Sequence, residues 1–158
     1  MKKLFKLVLI FALLALVAIQ FIRPDKNESG YEGVEHFENE TKPTPEMASL
    51  LRANCYDCHS NQTSYPWYAE IAPVNYWLAD HVNDGKKHFN VSAWNEYSVK
   101  KKDHKLEELL EMVEEGEMPL DYYTWLHGNL SENDTKQLLQ WVTVARLQYK
   151  AQLEISTK

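Results

Sequence analysis

The chain has 158 residues, of which 44% are hydrophobic and 25% are charged, a balance typical of one globular domain and not of a disordered or fibrous chain. Four of its 17 basic residues lie in the first 23 positions, where there is no acidic residue, so acidic side chains outnumber basic ones by ten in the remainder. So acidic a remainder argues against nucleic acid as a partner. A total of two cysteines excludes a framework of several disulfides.

The N-terminal segment begins with three lysines and continues with an apolar run from Leu7 to Ile22. As a helix this run would span roughly 24 Å at about 1.5 Å per residue, and three more residues at its start bring it close to the ~30 Å hydrocarbon core of a bilayer. The pattern predicts an uncleaved signal anchor at 1–23, which crosses the bacterial inner membrane through residues 4–22 and leaves the rest in the periplasm. A cleaved signal peptide is the alternative.

The remainder of the chain carries helical apolar spacings and no strand pattern. Residues 24–43 are acidic and polar and predict a tether, residues 44–150 predict a helical domain, and 151–158 form a tail. The predicted helices run from Pro45 to Cys58, from Pro73 to Asp84 with Gly85 as the stop, over a short turn at Asn90–Tyr97, between Asp103 and Gly116, and from Ser131 onward. The fold class is therefore predicted to be all-α, preceded by a transmembrane helix.

The most informative segment is Cys55-Tyr-Asp-Cys58-His59. In a C-x-x-C-H motif each sulfur adds to one vinyl group of a haem, and the three-residue spacing places both sulfurs on one side of a helical turn. The adjacent histidine is then the proximal ligand of the iron. The motif predicts one covalent haem c on Cys55 and Cys58, with His59 on the iron, in a small cytochrome c-like helical domain wrapped around it.

Three other uses of the cysteine pair are open. A thioredoxin-like dithiol is typically found near a βαβ unit, a zinc site needs about four ligands, and a disulfide across three residues stabilises little. The sequence shows neither a strand pattern nor a second cysteine pair. All three are therefore less favoured than haem.

Met118 is the candidate for the second axial ligand. It follows a predicted helix end, and Pro119 excludes it from the helical region and places it in an extended loop. Its separation from His59 is enough chain to pass around a porphyrin. The alternatives are a loop methionine that fills a gap in the core, or ligation by His81 on the apolar face of the second helix.

Two aromatic residues soon after the motif, Trp67 and Tyr68, are candidates for cofactor binding. Their side chains are expected to pack against the porphyrin or to hydrogen-bond a propionate. Ordinary core packing is the alternative.

These segments resemble the bacterial haem-binding-domain family, a small cytochrome c-like module. The resemblance covers about two thirds of the chain and includes Asn54-Cys-Tyr-Asp-Cys-His-Ser60, Tyr65-Pro-Trp-Tyr68, Ile71-Ala-Pro73, Asp84-Gly85-Lys86, Asn90-Val-Ser-Ala-Trp94, Gly116-Glu-Met-Pro119, Tyr123, Leu126-His127 and Leu138-Leu-Gln-Trp141. It implies covalent haem at Cys55 and Cys58, His59 as the proximal ligand and Met118 as the distal one. The second proline that often follows Met-Pro in the family is Leu120 here.

The expected function is that of a membrane-anchored monohaem c-type cytochrome, which transfers electrons on the periplasmic side to a redox partner that the sequence does not identify. A non-enzymatic role is favoured, because a sixth protein ligand leaves no open position on the iron. The alternative is a haem-based peroxidase, or a gas or redox sensor, in which Met118 is displaced. A haem-free dithiol oxidoreductase is the third hypothesis.

Overall fold

A computed structural model describes residues 1–156, and these residues form an all-α fold, as predicted. The helices are α1 (Lys2–Ile19), α2 (Val34–Thr41), α3 (Pro45–Asn54), α4 (Tyr56–His59), α5 (Val74–His88), α6 (Val99–Glu114), α7 (Asp121–His127) and α8 (Glu132–Ser156), with 3₁₀ turns at Trp67–Glu70 and Val91–Glu96. The described residues contain no strand, and a single isolated bridge joins Glu28 to Gln62.

The prediction of an N-terminal transmembrane helix, and of a single-pass inner-membrane location with it, is wrong. Across residues 1–156, none of the helices combines the length and the apolar character that crossing a membrane requires. The helix α1 has 18 residues, and three of them are the lysines at its start. It ends at Ile19, so the apolar stretch from Leu7 measures only about 20 Å at 1.5 Å per residue, against a hydrocarbon core of ~30 Å.

The end of α1 is bonded to the segment that precedes α5. The Ala72 N–H donates to Gln20 Oε1 at 2.9 Å, and Gln20 Nε2 donates to the Ala72 carbonyl at 3.1 Å. The Tyr76 hydroxyl donates to the Ile22 carbonyl at 2.6 Å. These bonds pair the chain after α1 with the elements that surround the cysteines.

The segment predicted as a polar tether contains the helix α2, which differs from that prediction. Val34 and Phe37 of α2 are fully buried, and the Phe37 ring lies edge-on to those of Tyr56 and Trp94, at centroid distances of 6.5 and 4.9 Å. Only two apolar residues occur in these eight positions, so helical periodicity is not visible in the sequence. The helix exists because tertiary packing stabilises it.

The observed helix ends differ from the predicted ones by a few residues, which is where sequence patterns are least informative. The side chain of Ser98 accepts from the Lys101 N–H and starts α6 earlier than the predicted Asp103. Helix α5 continues through Gly85 to His88. The predicted capping pair of Ser131 and Asp134 is present at the start of α8, with the Asp134 N–H donating to Ser131 Oγ at 3.1 Å.

The remaining core lies between α6 and α8. Leu106 of α6 is buried with Leu138 and Val142 of α8. The Arg146 guanidinium donates to Asp103 Oδ1 at 2.9 Å, so an ion pair holds the same two helices together at the edge of their apolar contact.

Candidate functional site

The two cysteines lie at the ends of a single helical turn. The α3 helix ends at Asn54, because the backbone of Cys55 leaves the helical region at φ −125° and ψ −43°. The chain then turns again as α4, in which the N–H groups of Cys58 and His59 donate to the Cys55 carbonyl at 3.2 and 2.9 Å. The single predicted helix from Pro45 to Cys58 is thus two, and residues 55–59 form a turn of their own.

Both thiols are free and half-buried. Burial raises the pKa of the Cys55 thiol to about 12 and that of Cys58 to about 11, and neighbouring negative charge adds to the effect. Catalytic dithiols have the opposite property, a pKa lowered by nearby positive charge or by a helix N-terminus. These two side chains are protonated at neutral pH, which argues against the dithiol oxidoreductase.

The His59 ring is fixed by the backbone at the end of α5. Its Nδ1 lies 2.9 Å from the Phe89 carbonyl oxygen and 3.1 Å from that of Gly85. Burial lowers the pKa of His59, although both carbonyls act in the opposite direction, so the ring is neutral at pH 7. Because carbonyls only accept, the proton lies on Nδ1, and Nε2 carries the lone pair that a metal needs.

The loop after His59 is held against the motif by short polar contacts. The Thr63 hydroxyl donates to the Asp57 carbonyl at 2.5 Å, and the Ser64 N–H donates to Asp57 Oδ1 at 2.8 Å. From the segment before α2, Asn27 Nδ2 donates to the Ser60 carbonyl at 2.9 Å. The turn that carries the cysteines is therefore held both by the loop that follows it and by the segment before α2.

The short helix α7 is joined by Tyr123 to the end of α3, two residues before Cys55. The Tyr123 hydroxyl donates to the Ala53 carbonyl at 3.0 Å, and the Tyr123 ring is stacked on that of His127 at 4.1 Å. Burial is the main cause that raises the pKa of both Tyr122 and Tyr123, and both side chains are half-buried. The sequence analysis did not predict this helix, although Asp121 in its first turn and the i, i+4 pair of Tyr123 and His127 are signals for one.

Met118 lies in the turn that connects α6 to α7. It is half-buried, and its N–H donates to the Met112 carbonyl at 3.0 Å, at the end of α6. Gly116, two residues earlier, has φ +74°, the left-handed conformation that ends a helix. Met118, the predicted distal ligand, thus lies three residues before α7 begins at Asp121.

Trp67, Tyr68 and His81, the other candidates for contact with the cofactor, differ in exposure and in the residues that they contact. Trp67 is 77% exposed, so it does not belong to the core. Tyr68 is half-buried, and its hydroxyl lies 3.3 Å from His127 Nε2. The His81 ring contacts Trp77 and Tyr122 at centroid distances of 4.4 and 5.1 Å, and its Nδ1 lies 2.7 Å from the Trp77 carbonyl oxygen.

The site therefore offers two thiols for covalent attachment and one imidazole nitrogen for a metal. In the part of the chain that the structure describes, no three His, Cys, Asp or Glu side chains come together as a set for a bare metal ion. The donor set suits a group that brings its own metal and most of its own ligands.

Comparison with known proteins gives one match. A family model described as "Haem-binding domain" matches residues 14–144, which include every candidate residue above. The same comparisons return no match among curated proteins and none among solved structures.

Proposed function

Because the chain belongs to the haem-binding domain family, we propose that it is a monohaem c-type cytochrome, which holds one haem covalently through Cys55 and Cys58 and transfers electrons. The observation that carries the proposal is the state of His59. Its Nδ1 is taken by the carbonyls of Gly85 and Phe89, which leaves Nε2 with a free lone pair in the residue that directly follows Cys58.

The residues of the site fit this cofactor. Cys55 and Cys58 stand three positions apart on one turn, which matches two vinyl groups on one edge of a porphyrin. Both thiols are free, so neither is consumed by a disulfide. Tyr123 of α7, bonded to the Ala53 carbonyl two residues before Cys55, adds a flat, half-buried side chain, and such rings pack well against a flat ligand.

Met118 is proposed as the second axial ligand, because the turn that carries it leads directly into α7, whose Tyr123 bonds to the Ala53 carbonyl just before the motif. When bound, the haem supplies a one-electron iron centre whose potential depends on the axial ligands. His59 and Met118 would together hold the iron, and no position would then be left for a substrate. Electron transfer follows from that arrangement, whereas peroxide chemistry or gas sensing would need Met118 to leave.

The test is a comparison of Met118→Ala with Met112→Ala, a matched methionine on the exposed side of α6. We expect the ferric wild-type protein and Met112→Ala to show the sulfur-to-iron charge-transfer band and rapid reduction by small-protein donors, and Met118→Ala to lose the band. Wild-type iron that is high-spin and takes up carbon monoxide readily at neutral pH would instead support the peroxidase or sensor.

A further inference from the structure

Gly85 occupies a position in α5 where glycine is unfavourable for the helix itself. It lies inside the helix, three residues before the last one, His88, and a helix-interior glycine costs about 1 kcal/mol relative to alanine. Three other glycines of the chain have positive φ, but Gly85 is not one of them, so its backbone does not require glycine. The presence of glycine at position 85 therefore needs another explanation.

The reason is space beside the cysteine turn. A Cβ on residue 85 would lie 2.8 Å from the carbonyl oxygen of Cys58 and 3.2 Å from its Cβ. Both are atoms of the turn itself and cannot rotate away as the end of a long side chain could. Any larger residue at 85 would therefore push α5 and the turn apart.

The same contact determines what His59 faces. The two carbonyl oxygens that surround its Nδ1 belong to Gly85 and Phe89, at the C-terminal end of α5. This end carries the negative pole of the helix dipole, so it attracts the Nδ1 proton more strongly than an isolated carbonyl would. If α5 moved away from the cysteine turn by a few tenths of an ångström, the 3.1 Å contact to Gly85 would exceed the usual hydrogen-bond range and the 2.9 Å contact to Phe89 would weaken.

We propose that Gly85 is a positioning residue for His59: by lacking a side chain it lets α5 close on Cys58 and hold the Nδ1 proton of His59 between two backbone carbonyls. This rests on the proposed role of His59 as an axial ligand. A strongly bonded Nδ1–H makes Nε2 a better electron donor, which stabilises ferric over ferrous iron. Gly85 thereby helps to set the reduction potential without touching the iron or its ligand nitrogen.

The experiment compares Gly85→Ala with Asn83→Ala, an exposed position on the same helix, in the full chain with haem attached. We measure the reduction potential, and the solvent-exchange rate of the His59 Nδ1 proton by NMR in the ferrous state. Gly85→Ala should raise the potential and speed exchange at least tenfold, whereas Asn83→Ala should match the wild type. A Gly85→Ala protein that keeps both values and only gains helix stability would overturn the proposal.

A second measurement covers the case in which Gly85→Ala does not fold. In the wild-type ferrous protein, the His59 Nδ1 proton should exchange far more slowly than that of a solvent-exposed imidazole, and rapid exchange would contradict the inference. Wild-type protein with covalent haem but an unprotected proton refutes the role of Gly85 alone. Wild-type protein that carries no covalent haem refutes the proposed function, and the role of Gly85 with it.

Discussion

The ring nitrogens of His59 have separate tasks. One donates its proton to the carbonyls at the end of α5, and the other is free to bind a metal. The sequence alone assigned His59 to the iron from its place after Cys58, but it could not show which backbone atoms orient the ring, because these lie 26 and 30 positions further along the chain.

The two cysteines also differ from the pattern of a redox-active pair. Their surroundings disfavour the thiolate, because burial is the main cause of their raised pKa values. A thiol of this kind reacts slowly, because the thiolate is the reactive form. This property favours a structural role for the two sulfurs over one in thiol exchange.

The raised thiol pKa predicts slow alkylation of the folded, haem-free chain. With a pKa of about 11, the Cys58 thiol should react with iodoacetamide roughly 100-fold more slowly at pH 8 than an ordinary thiol of pKa ~8.5. The rate should rise about tenfold per pH unit above pH 8, because the thiolate fraction does. Mass spectrometry over a pH series measures it, with the unfolded chain as the control, and fast labelling of the folded chain at pH 8 would contradict the raised pKa.

Among the elements, those with strong local signals were predictable and those formed by packing were not. Thr44 and Pro45 predicted the start of α3 correctly. The predicted cap is present, with the Met47 N–H donating to Thr44 Oγ1 at 3.2 Å. Helices α2 and α7 have eight and seven residues, too short for a visible period, and contacts distant in sequence stabilise them. Gly85 was taken for a helix stop, although its role is close packing against Cys58.

Helix α2 is bound to the rest of the fold by Glu40 as well as by Phe37. Lys102 Nζ donates to both carboxylate oxygens of Glu40 at 2.8 Å, and the Tyr149 hydroxyl donates to Oε2 at 2.8 Å. Burial acts to raise the pKa of Glu40, but hydrogen bonds from Lys102 and Tyr149 outweigh it and the pKa is lowered. Three helices, α2, α6 and α8, meet at this one carboxylate.

A prediction about acid stability follows from the lowered pKa. A carboxyl whose pKa is lower in the folded than in the unfolded state stabilises the fold above its unfolded pKa, and this contribution is lost as the pH falls through the folded value. Glu40→Gln should therefore reduce the free energy of unfolding by up to about 1 kcal/mol at pH 7, because solvent screens a carboxylate that is 39% exposed, and by little in acid.

Urea unfolding at pH 7 and at pH 3 measures this difference. The control is Glu35→Gln, an exposed carboxylate in the first turn of the same helix, which should change the free energy of unfolding by only about 0.3 kcal/mol through the helix dipole. An equal effect of Glu40→Gln at both pH values would show that its charge does not matter.

For the molecule as a whole, the chain before α3 divides into two parts with different roles. The α1 helix has no buried residue, whereas residues 34–41 supply part of the central core. The segment between them pairs with the loop behind the cysteines, since the Thr63 N–H donates to the Asn27 carbonyl at 2.9 Å. The haem domain thus begins well before residue 44, the boundary that composition indicated.

Two truncations with the same haem loading test this division. A chain that starts at Gln20 should unfold cooperatively at nearly the temperature of the full chain. A chain that starts at Pro43 lacks Val34 and Phe37, and the loss of a buried phenylalanine alone costs about 3–5 kcal/mol, so cooperative unfolding should be lost. Thermal unfolding followed by circular dichroism measures both, and a normal transition in the shorter chain would show that α2 is dispensable.

The covalent link between haem and the two cysteines is tested most directly by the intact mass of the denatured full chain, after expression with a haem c attachment system. We expect a mass increased by one haem, a pyridine haemochrome spectrum of the two-thioether type and no thiol left for alkylation. A colourless chain of unmodified mass, with both thiols alkylated after denaturation, would contradict it.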